Sequence, residues 1–518
     1  MALLRSIATV GGYTMASRVL GFVRDVLVAA YLGAGPVADA FVVAFKLPNF
    51  FRRLFAEGAF NAAYVPVFAG RLETDGETRA RYFAEEVLAV LLAVLLLFVT
   101  ALQIAMPWVM LVLAPGFADQ PEKFDLAVHL ARITFPYLLF ISLVSLMGGV
   151  LNSLGRFAAA AAAPIMLNVC MIAAVVGLTP YTKTPGHALA YGVTAAGVTQ
   201  FVWLVYSCHA AGMRLRLIVP RLTPGVKRVL TLMIPGAIGA GVIQVNLFID
   251  VIIASFLPGG SVSYLYYADR INELPLGVIG IAIGTALLPL MSRQIRAGQD
   301  QAAMASLNRA LELGLLVTLP AAAALLVLAT PIIAVLFERG AFGPAETAAT
   351  AAALAAYSLG LPAYVVNKAL TPAFYARQDT ATPVKIAAVV VFANTAFAVA
   401  LMQVLAHVGI ALATALSSWL SVVMLAVTLR RRGHFAVDPR LRSRAPRSAL
   451  AAAGMAAVLW LGMWSLAGPL AGSPLERGLA LAALIAAGLV AYALLALVLG
   501  AAGRDDLKRL ARRGGGPT

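Results

Sequence analysis

Residues 17–61 most constrain how this chain can fold, because charged side chains interrupt a stretch that is otherwise apolar and long enough to cross a membrane twice. A charge near the bilayer centre costs roughly 2.5–3.5 kcal/mol, so eight charges facing lipid would cost on the order of 20 kcal/mol. They must therefore line a space that is enclosed by protein or filled with water. The eight are Arg18, Arg24, Asp25, Asp39, Lys46, Arg52, Arg53 and Glu57.

Half of these charges follow the repeat of a single helical stripe. The stripe is Asp39, Lys46, Arg53 and Glu57, with Asn49 and Arg52 beside it. Pro48 lacks an N–H donor, so we expect a kink there and backbone groups that face the cavity. The alternative, solvated helix ends with a few internal ion pairs, suits Arg5 or Arg71 better than the run from Arg18 to Asp25.

The composition, 61% hydrophobic and 12% charged over 518 residues, indicates a polytopic membrane protein. At about 20 apolar residues per span, the fold class is all-α with about fourteen transmembrane helices. We predict them near 5–32, 37–68, 84–113, 125–152, 159–179, 186–210, 226–257, 262–293, 304–327, 346–374, 383–404, 408–430, 447–468 and 477–500.

An internal repeat divides the chain into two six-helix lobes. The second and eighth predicted helices share polar residues around one proline and a second proline after small residues, and residues 151–164 match 370–383 without a gap. Both offsets are about 220 residues, as in transporters with a parallel repeat; the alternative is chance similarity between Ala-rich helices. We predict an N-lobe at 1–215, a C-lobe at 216–432, and two extra helices with a basic tail at 433–518.

The positive charges predict the orientation. Most of the 39 lysines and arginines lie in the loops on one side, which places both termini in the cytoplasm. The formal net charge of +16 is then explained by orientation and by anionic lipid head groups, without nucleic acid.

The second lobe contributes polar residues of its own. The candidate cavity charges in SYLYYADRINELP are Asp269, Arg270 and Glu273, and Ser263 lies one helical row away. Asp250, in the apolar seventh helix, could pair with a cation or with a neighbouring polar side chain. Asp379 is predicted to be a turn or cap residue. Thr395 shares a cation site with these acids only if the seventh and eleventh helices touch.

The chemistry of an enzyme is absent from the sequence. Five histidines are scattered, and there is no Walker A loop, nucleophile elbow or HExxH motif. We therefore expect a transporter that is not an enzyme, has no cofactor, and runs on an ion gradient, a membrane potential or a substrate gradient. The cavity has six cations against five carboxylates. Arginine forks suit phosphate, so a pyrophosphate could compete with the carboxylates and shift an inward–outward equilibrium.

Four segments closely resemble the lipid II flippase family, called MurJ or MviN, of the multidrug/oligosaccharidyl-lipid/polysaccharide exporter superfamily. They are SRVLGFVRD, DAFVVAFKLPNFFRRLFAEGAF, YYADRINELP and YARQDTATPVKIA. The resemblance covers essentially the whole chain. It implies alternating access that carries lipid II to the outer leaflet of the bacterial cytoplasmic (inner) membrane, with membrane lipids and cell-wall synthesis machinery as partners. It assigns the family's essential cavity arginines to Arg18, Arg24, Arg52 and Arg270, and its cavity carboxylates to Asp25, Asp39 and Glu57.

The resemblance also implies a groove for the polyprenyl tail along the last two helices, and a coupling ion, Na⁺ or H⁺. Its candidate sodium ligands are Asp250, Asp379 and Thr395, although Tyr375 stands where a polar ligand is expected. The alternatives are a flippase for another polyprenyl-linked glycan, a cation-drug antiporter and a non-transporting cell-wall scaffold. An antiporter for cations should have a net acidic cavity, and a scaffold has no use for buried charges.

Overall fold

The computed structural model describes residues 2–53 and 60–503, apart from the side chains of residues 2–8, 236–247, 278–282 and 285. Within that part the chain is all-α, as predicted, and one isolated bridge joins Arg339 to Phe342. The helices are α1 (Ala2–Leu32), α2 (Pro36–Phe51), α3 (Asn61–Leu113), α4 (Pro121–Thr134), α5 (Tyr137–Ser153), α6 (Phe157–Gly177), α7 (Pro185–Ala210), α8 (Pro224–Ser255), α9 (Ser261–Arg296), α10 (Asp300–Val327), α11 (Ala329–Phe337), α12 (Pro344–Ser358), α13 (Leu361–Tyr375), α14 (Ala381–Arg431), α15 (Pro439–Ser465), α16 (Ala467–Ala471) and α17 (Pro474–Val498).

Proline and short polar side chains set where many of these helices begin. A proline occupies the first or second position of α2, α4, α7, α8, α12, α13, α15 and α17, where its missing N–H costs nothing. Thr223, Asp438 and Ser473 precede α8, α15 and α17, and each accepts a hydrogen bond from the N–H three residues later.

Two long helices are each interrupted by one residue in the left-handed region. Gly76 in α3 has a φ of 77°, and Ala406 in α14 has a φ of 48°. The sequence predicts separate spans on either side of both positions, and the structure confirms these two boundaries. A left-handed alanine is strained, whereas glycine adopts this conformation readily. The total of fourteen spans stays a prediction.

Long apolar helices make this a multi-pass membrane protein. In the described part of the chain, nine helical segments are long and apolar enough to cross a membrane. Large apolar side chains such as Leu97, Phe392 and Trp464 are exposed on them, as lipid contact requires.

The helices group into two units. The first comprises Met1–Ser263 and Arg339–Phe342, and in it α1 packs on α6, α7 packs on α5 and α6, α2 packs on α4, and α3 packs on α5 and α8. The second comprises Tyr264–Glu338 and Gly343–Thr518, where α10 packs on α13 and α15, and α14 packs on α12 and α13. The predicted division at 1–215, 216–432 and 433–518 stays a prediction.

The last long helices, α15 and α17, pack closely through small residues. A Cβ on Gly462 of α15 would lie 2.6 Å from Leu484 of α17, and one on Gly488 of α17 would lie 2.9 Å from Leu459 of α15. Each glycine therefore accepts a leucine from the facing helix.

The turns between α5 and α6 and between α13 and α14 bear on the register of the repeat. Each turn has one left-handed residue, Gly155 with a φ of 73° and Gln378 with a φ of 60°. The ungapped comparison pairs Gly155 with Phe374, which lies inside α13. In that alignment the two left-handed residues stand four positions apart, and the alignment of the repeat stays a prediction.

A buried carboxylate ties α15 to α10 in the second unit. Glu312 of α10 has a side chain that is 7% exposed and pairs with three arginines. Its Oε1 accepts from Arg440 Nε at 3.1 Å and from Arg444 Nη1 at 2.6 Å, and its Oε2 accepts from Arg309. Arg309 also reaches Asp438, which caps α15, at 2.5 Å.

We expect Glu312→Ala to destabilise the protein by about 2 kcal/mol, because three charge-assisted hydrogen bonds lose their acceptor while the partly exposed arginines regain water. Arg440→Ala should cost less, since two arginines still satisfy the carboxylate. Unfolding curves of the two variants in one detergent test this order, and an equal or larger effect of Arg440→Ala would contradict it.

Candidate functional site

Arg24 and Asp25 of α1 are both buried, each 6% exposed. Arg24 donates from Nη2 and Nε to Asp25 Oδ1 over 2.7 and 3.1 Å. Its Nη1 donates to Asn168 Oδ1 of α6 over 3.0 Å. A buried cation needs such partners to offset its loss of hydration, so two side chains fix the orientation of this guanidinium.

Asn168 is a site residue that the charge pattern does not identify. Its Nδ2 donates to the backbone oxygen of Ser17 on α1 over 2.9 Å. Gly21 lies beneath the amide, and a Cβ there would be 3.6 Å from Asn168 Nδ2. The available signal was a lone amide in the long apolar sequence of α6, because such a group is costly to bury without partners.

Arg18 lies elsewhere on the surface of α1. It is exposed and stands six residues before Arg24, or about 240° further around the helix. The structure therefore does not pair these two predicted arginines.

Asp39 of α2 is fully buried, at 0% exposure, and its carboxylate takes four hydrogen bonds. Lys123 Nζ donates to Oδ2 at 2.8 Å, and the Gly260 N–H donates to the same oxygen at 2.7 Å. The Ser263 N–H and hydroxyl donate to Oδ1 at 2.9 and 2.7 Å. We name Asp39, Lys123, Gly260 and Ser263 the Asp39 cluster; it joins α2, α4 and the start of α9 within the first unit.

The Asp39 cluster brings together two predicted site residues, Asp39 and Ser263, and adds Lys123. From the sequence Lys123 is a loop lysine, yet it lies in the first turn of α4, is 5% exposed and packs over the Phe117 ring at 4.0 Å. With both oxygens occupied and no exposed surface, Asp39 does not face a cavity in this conformation.

Pro48 leaves a backbone acceptor in α2, as the sequence predicts, but that acceptor does not face a cavity. The carbonyl of Ala44, one turn earlier, loses its usual N–H partner because Pro48 has none. The buried Thr134 hydroxyl of α4 donates to it at 3.1 Å. A side chain therefore satisfies the backbone group, and α2 continues to Phe51.

After Phe51 the backbone widens into a π-helical turn at residues 52 and 53, a geometry that is frequent at functional sites. Arg52 Nε donates to Asn49 Oδ1 at 3.2 Å, which confirms that these two residues are neighbours. Arg53 is exposed. Glu57 lies outside the described residues.

Arg270 and Glu273 of α9 lie in the second unit. They form an ion pair at 3.5 Å with side chains 35% and 50% exposed. The Arg270 guanidinium also lies 5.4 Å from the Tyr266 ring centre. Water reaches this ion pair, so its electrostatic attraction is weaker than that of the buried pair of Arg24 and Asp25.

The three candidate sodium ligands lie in different settings. Asp250 is partly buried in α8. Asp379 precedes α14, accepts from the Thr382 N–H at 2.9 Å and pairs with Arg432 at 2.5 Å, so it is the turn residue that the sequence predicts. Thr395 lies roughly 24 Å further along α14 at 1.5 Å per residue. The structure does not bring Asp379 and Thr395 together, and the coupling ion stays a prediction.

Hydrogen bonds from Thr382 and from Arg432 hold the pKa of the Asp379 carboxyl well below its usual range. A carboxyl whose pKa is lower in the folded than in the unfolded protein stabilises the fold at a pH above its unfolded pKa, near 3.9. This stabilisation is lost as the pH falls toward the folded pKa. We expect Asp379→Asn to lower the unfolding temperature at pH 7, and the gap to wild type to narrow below about pH 4. A gap that is constant from pH 7 to strong acid would contradict this.

Comparison with known proteins identifies the family. The model of the family described as lipid II flippase MurJ matches residues 28–471. A protein of Rhizobium meliloti (strain 1021), named probable lipid II flippase MurJ, is 48% identical over 99% of this chain and 97% of its own length. The chain belongs to the lipid II flippase MurJ family.

Solved structures agree with this membership. A lipid II flippase MurJ in an inward closed conformation superposes with a TM-score of 0.78 at 26% identity and covers 94% of this chain and 97% of that one. A MATE multidrug transporter in an inward-facing conformation gives a TM-score of 0.66 at 15% identity over 80% of this chain and 94% of that one, a likeness of fold alone.

In this MurJ family member the predicted site residues fall into three groups. Arg24 with Asp25 and Asp39 with Ser263 are buried contacts; Arg52 with Asn49 and Arg270 with Glu273 are partly exposed contacts; Arg18 and Arg53 are exposed. Their role in binding substrate stays a prediction.

Proposed function

We propose that this chain moves lipid II, an undecaprenyl-pyrophosphate-linked precursor of peptidoglycan, from the inner to the outer leaflet of the bacterial cytoplasmic membrane by alternating access. The family model and the curated relatives support the substrate. The inward closed flippase and the inward-facing MATE transporter support a fold that adopts more than one conformation.

The observation that carries the proposal is the buried Arg24, whose charge is neutralised by Asp25 at 2.7 Å. An arginine fork binds phosphate oxygens in pairs and keeps its charge when it is desolvated. A pyrophosphate that replaces Asp25 brings more negative charge than the carboxylate it displaces. Substrate then binds only the conformation in which Arg24 is accessible. This difference in affinity shifts the equilibrium between the inward-facing and outward-facing conformations.

The Asp39 cluster provides a contact that this cycle has to break. It links α2 and α4 to the start of α9 through four hydrogen bonds that are shielded from water. The orientation predicted from the arginine-rich loops puts the cluster on the outer side of the membrane. Its opening would release substrate to the outer leaflet.

The remaining parts of the proposal follow from the sequence. Both termini lie in the cytoplasm, because the loop arginines and lysines concentrate on that side. The tail of lipid II stays in the membrane, along α15 and α17, while its head group crosses. Na⁺ or H⁺ is the coupling ion, and the cell-wall synthesis machinery receives the product.

Transport into reconstituted vesicles tests the function. Purified protein should move lipid II across the bilayer faster than protein-free vesicles do, and should move a polyprenyl-pyrophosphate glycan without the peptidoglycan head group more slowly. Equal rates for both lipids would favour a general polyprenyl-glycan flippase. Movement of an organic cation instead would favour an antiporter, and no movement of any substrate would favour the scaffold.

A further inference from the structure

Arg24 is held by two partners of different chemistry. The Asp25 carboxylate belongs to the same helix and binds Nη2 and Nε through one oxygen. The Asn168 amide belongs to α6 and binds Nη1, with Met171 Sδ 3.9 Å from the same nitrogen. An arriving anion repels the charged Asp25 carboxylate strongly, and the neutral amide far less.

The hydrogen-bond network fixes the direction of the Asn168 amide. Arg24 can only donate and the Ser17 carbonyl can only accept, so the amide oxygen faces Arg24 at 3.0 Å and the NH₂ group faces Ser17 at 2.9 Å. Asn168 is 5% exposed, so losing either contact would leave a polar group buried. The amide therefore connects the guanidinium to the α1 backbone from a second helix.

We propose that Asn168 is a positioning residue for pyrophosphate: it keeps the Arg24 fork in place while the anion takes over from Asp25. This rests on the proposed function. Asp25 and Asn168 together engage three of the five guanidinium N–H groups. The edge formed by Nε and Nη2, which Asp25 occupies, is the edge that a phosphate would take in bidentate fashion. With Nη1 still bound to Asn168, the side chain does not have to be ordered again at each transport step.

The competing explanation is that Asn168 only joins α6 to α1 through the Ser17 carbonyl. The two explanations differ in one respect. A helix-joining residue contributes equally whatever cation stands at position 24, whereas a positioning residue depends on the arginine fork.

The test is a double-mutant cycle of Asn168→Leu with Arg24→Lys, read as equilibrium binding of lipid II to the purified full-length protein. Lysine keeps the charge but has a single nitrogen, which cannot serve Asp25, Asn168 and phosphate as a fork does. We expect Asn168→Leu to weaken binding about tenfold in the wild-type background and less than about twofold in the Arg24→Lys background. Equal losses in both backgrounds would overturn the inference.

A second variant covers the case in which Asn168→Leu does not fold. Asn168→Asp keeps the acceptor for Arg24, but it replaces the NH₂ donor to Ser17 with an acceptor and adds a charge that competes with pyrophosphate. We therefore expect both a lower unfolding temperature and weaker lipid II binding. A lower unfolding temperature with unchanged binding would show a helix-joining role alone and overturn the inference. Absence of lipid II binding to the wild type would overturn the proposed function, and this inference with it.

Discussion

Arg24→Ala is expected to reduce lipid II transport in vesicles by about 30-fold or more, because truncating a buried, hydrogen-bonded charge costs about 2–5 kcal/mol. The same change leaves the Asp25 carboxylate, 8% exposed, without its arginine. Part of the loss would therefore be lower stability and not lost recognition. The two effects need to be separated.

The double variant Arg24→Ala with Asp25→Asn separates them. Removing both charges relieves the buried carboxylate, so the unfolding temperature should recover toward wild type while transport stays lost. Arg228→Ala is the matched control: this arginine is exposed near the start of α8, and its loss should leave transport unchanged. Recovery of transport in the double variant would show that Arg24 does not recognise the substrate.

Asp39→Ala is expected to destabilise the protein by about 3–5 kcal/mol, because it leaves the buried Lys123 without its carboxylate and two backbone N–H groups without an acceptor. Lys123→Met should cost less. Asp39 would still accept from Gly260 and from both donors of Ser263. Among the described residues, Lys123 without Asp39 would keep its contact with the Phe117 ring and no ion pair.

Denaturant unfolding of both variants in one detergent measures this asymmetry. A smaller loss for Asp39→Ala than for Lys123→Met would contradict the cluster as described. If the cluster also closes the outer side, Asp39→Ala should increase the labelling of a cysteine introduced nearby by a membrane-impermeant thiol reagent added outside. Unchanged labelling would limit the role of Asp39 to stability.

Hydrophobicity and proline made the helices predictable. Runs of apolar residues located the spans, and prolines such as Pro36 and Pro185 stand where α2 and α7 begin. The buried pair of Arg24 and Asp25 was also predictable. Exposing a charge to lipid is costly, so neighbouring opposite charges inside an apolar span are expected to pair with each other and to face the protein interior.

Contacts between distant segments were not predictable in the same way. The Asp39 stripe assumed that all its members share one environment, but Asp39 is buried against Lys123 while Arg53 is exposed. Helical periodicity predicts on which face of its own helix a residue lies, but it does not predict which other helix packs against that face. Asn168 was missed because the search relied on charged residues at helical spacing. It is uncharged and belongs to no such stripe.

Binding of lipid II to the purified protein tests the central claim, recognition of the pyrophosphate head group at Arg24, most directly. The competitors are undecaprenyl phosphate and a polyprenyl-pyrophosphate glycan without the peptidoglycan head group, each measured with wild type and with the Arg24→Ala, Asp25→Asn variant. The account predicts that wild type prefers lipid II to both competitors, and that the variant loses the preference over undecaprenyl phosphate, the competitor without a pyrophosphate. A variant that binds lipid II as selectively as wild type would contradict it.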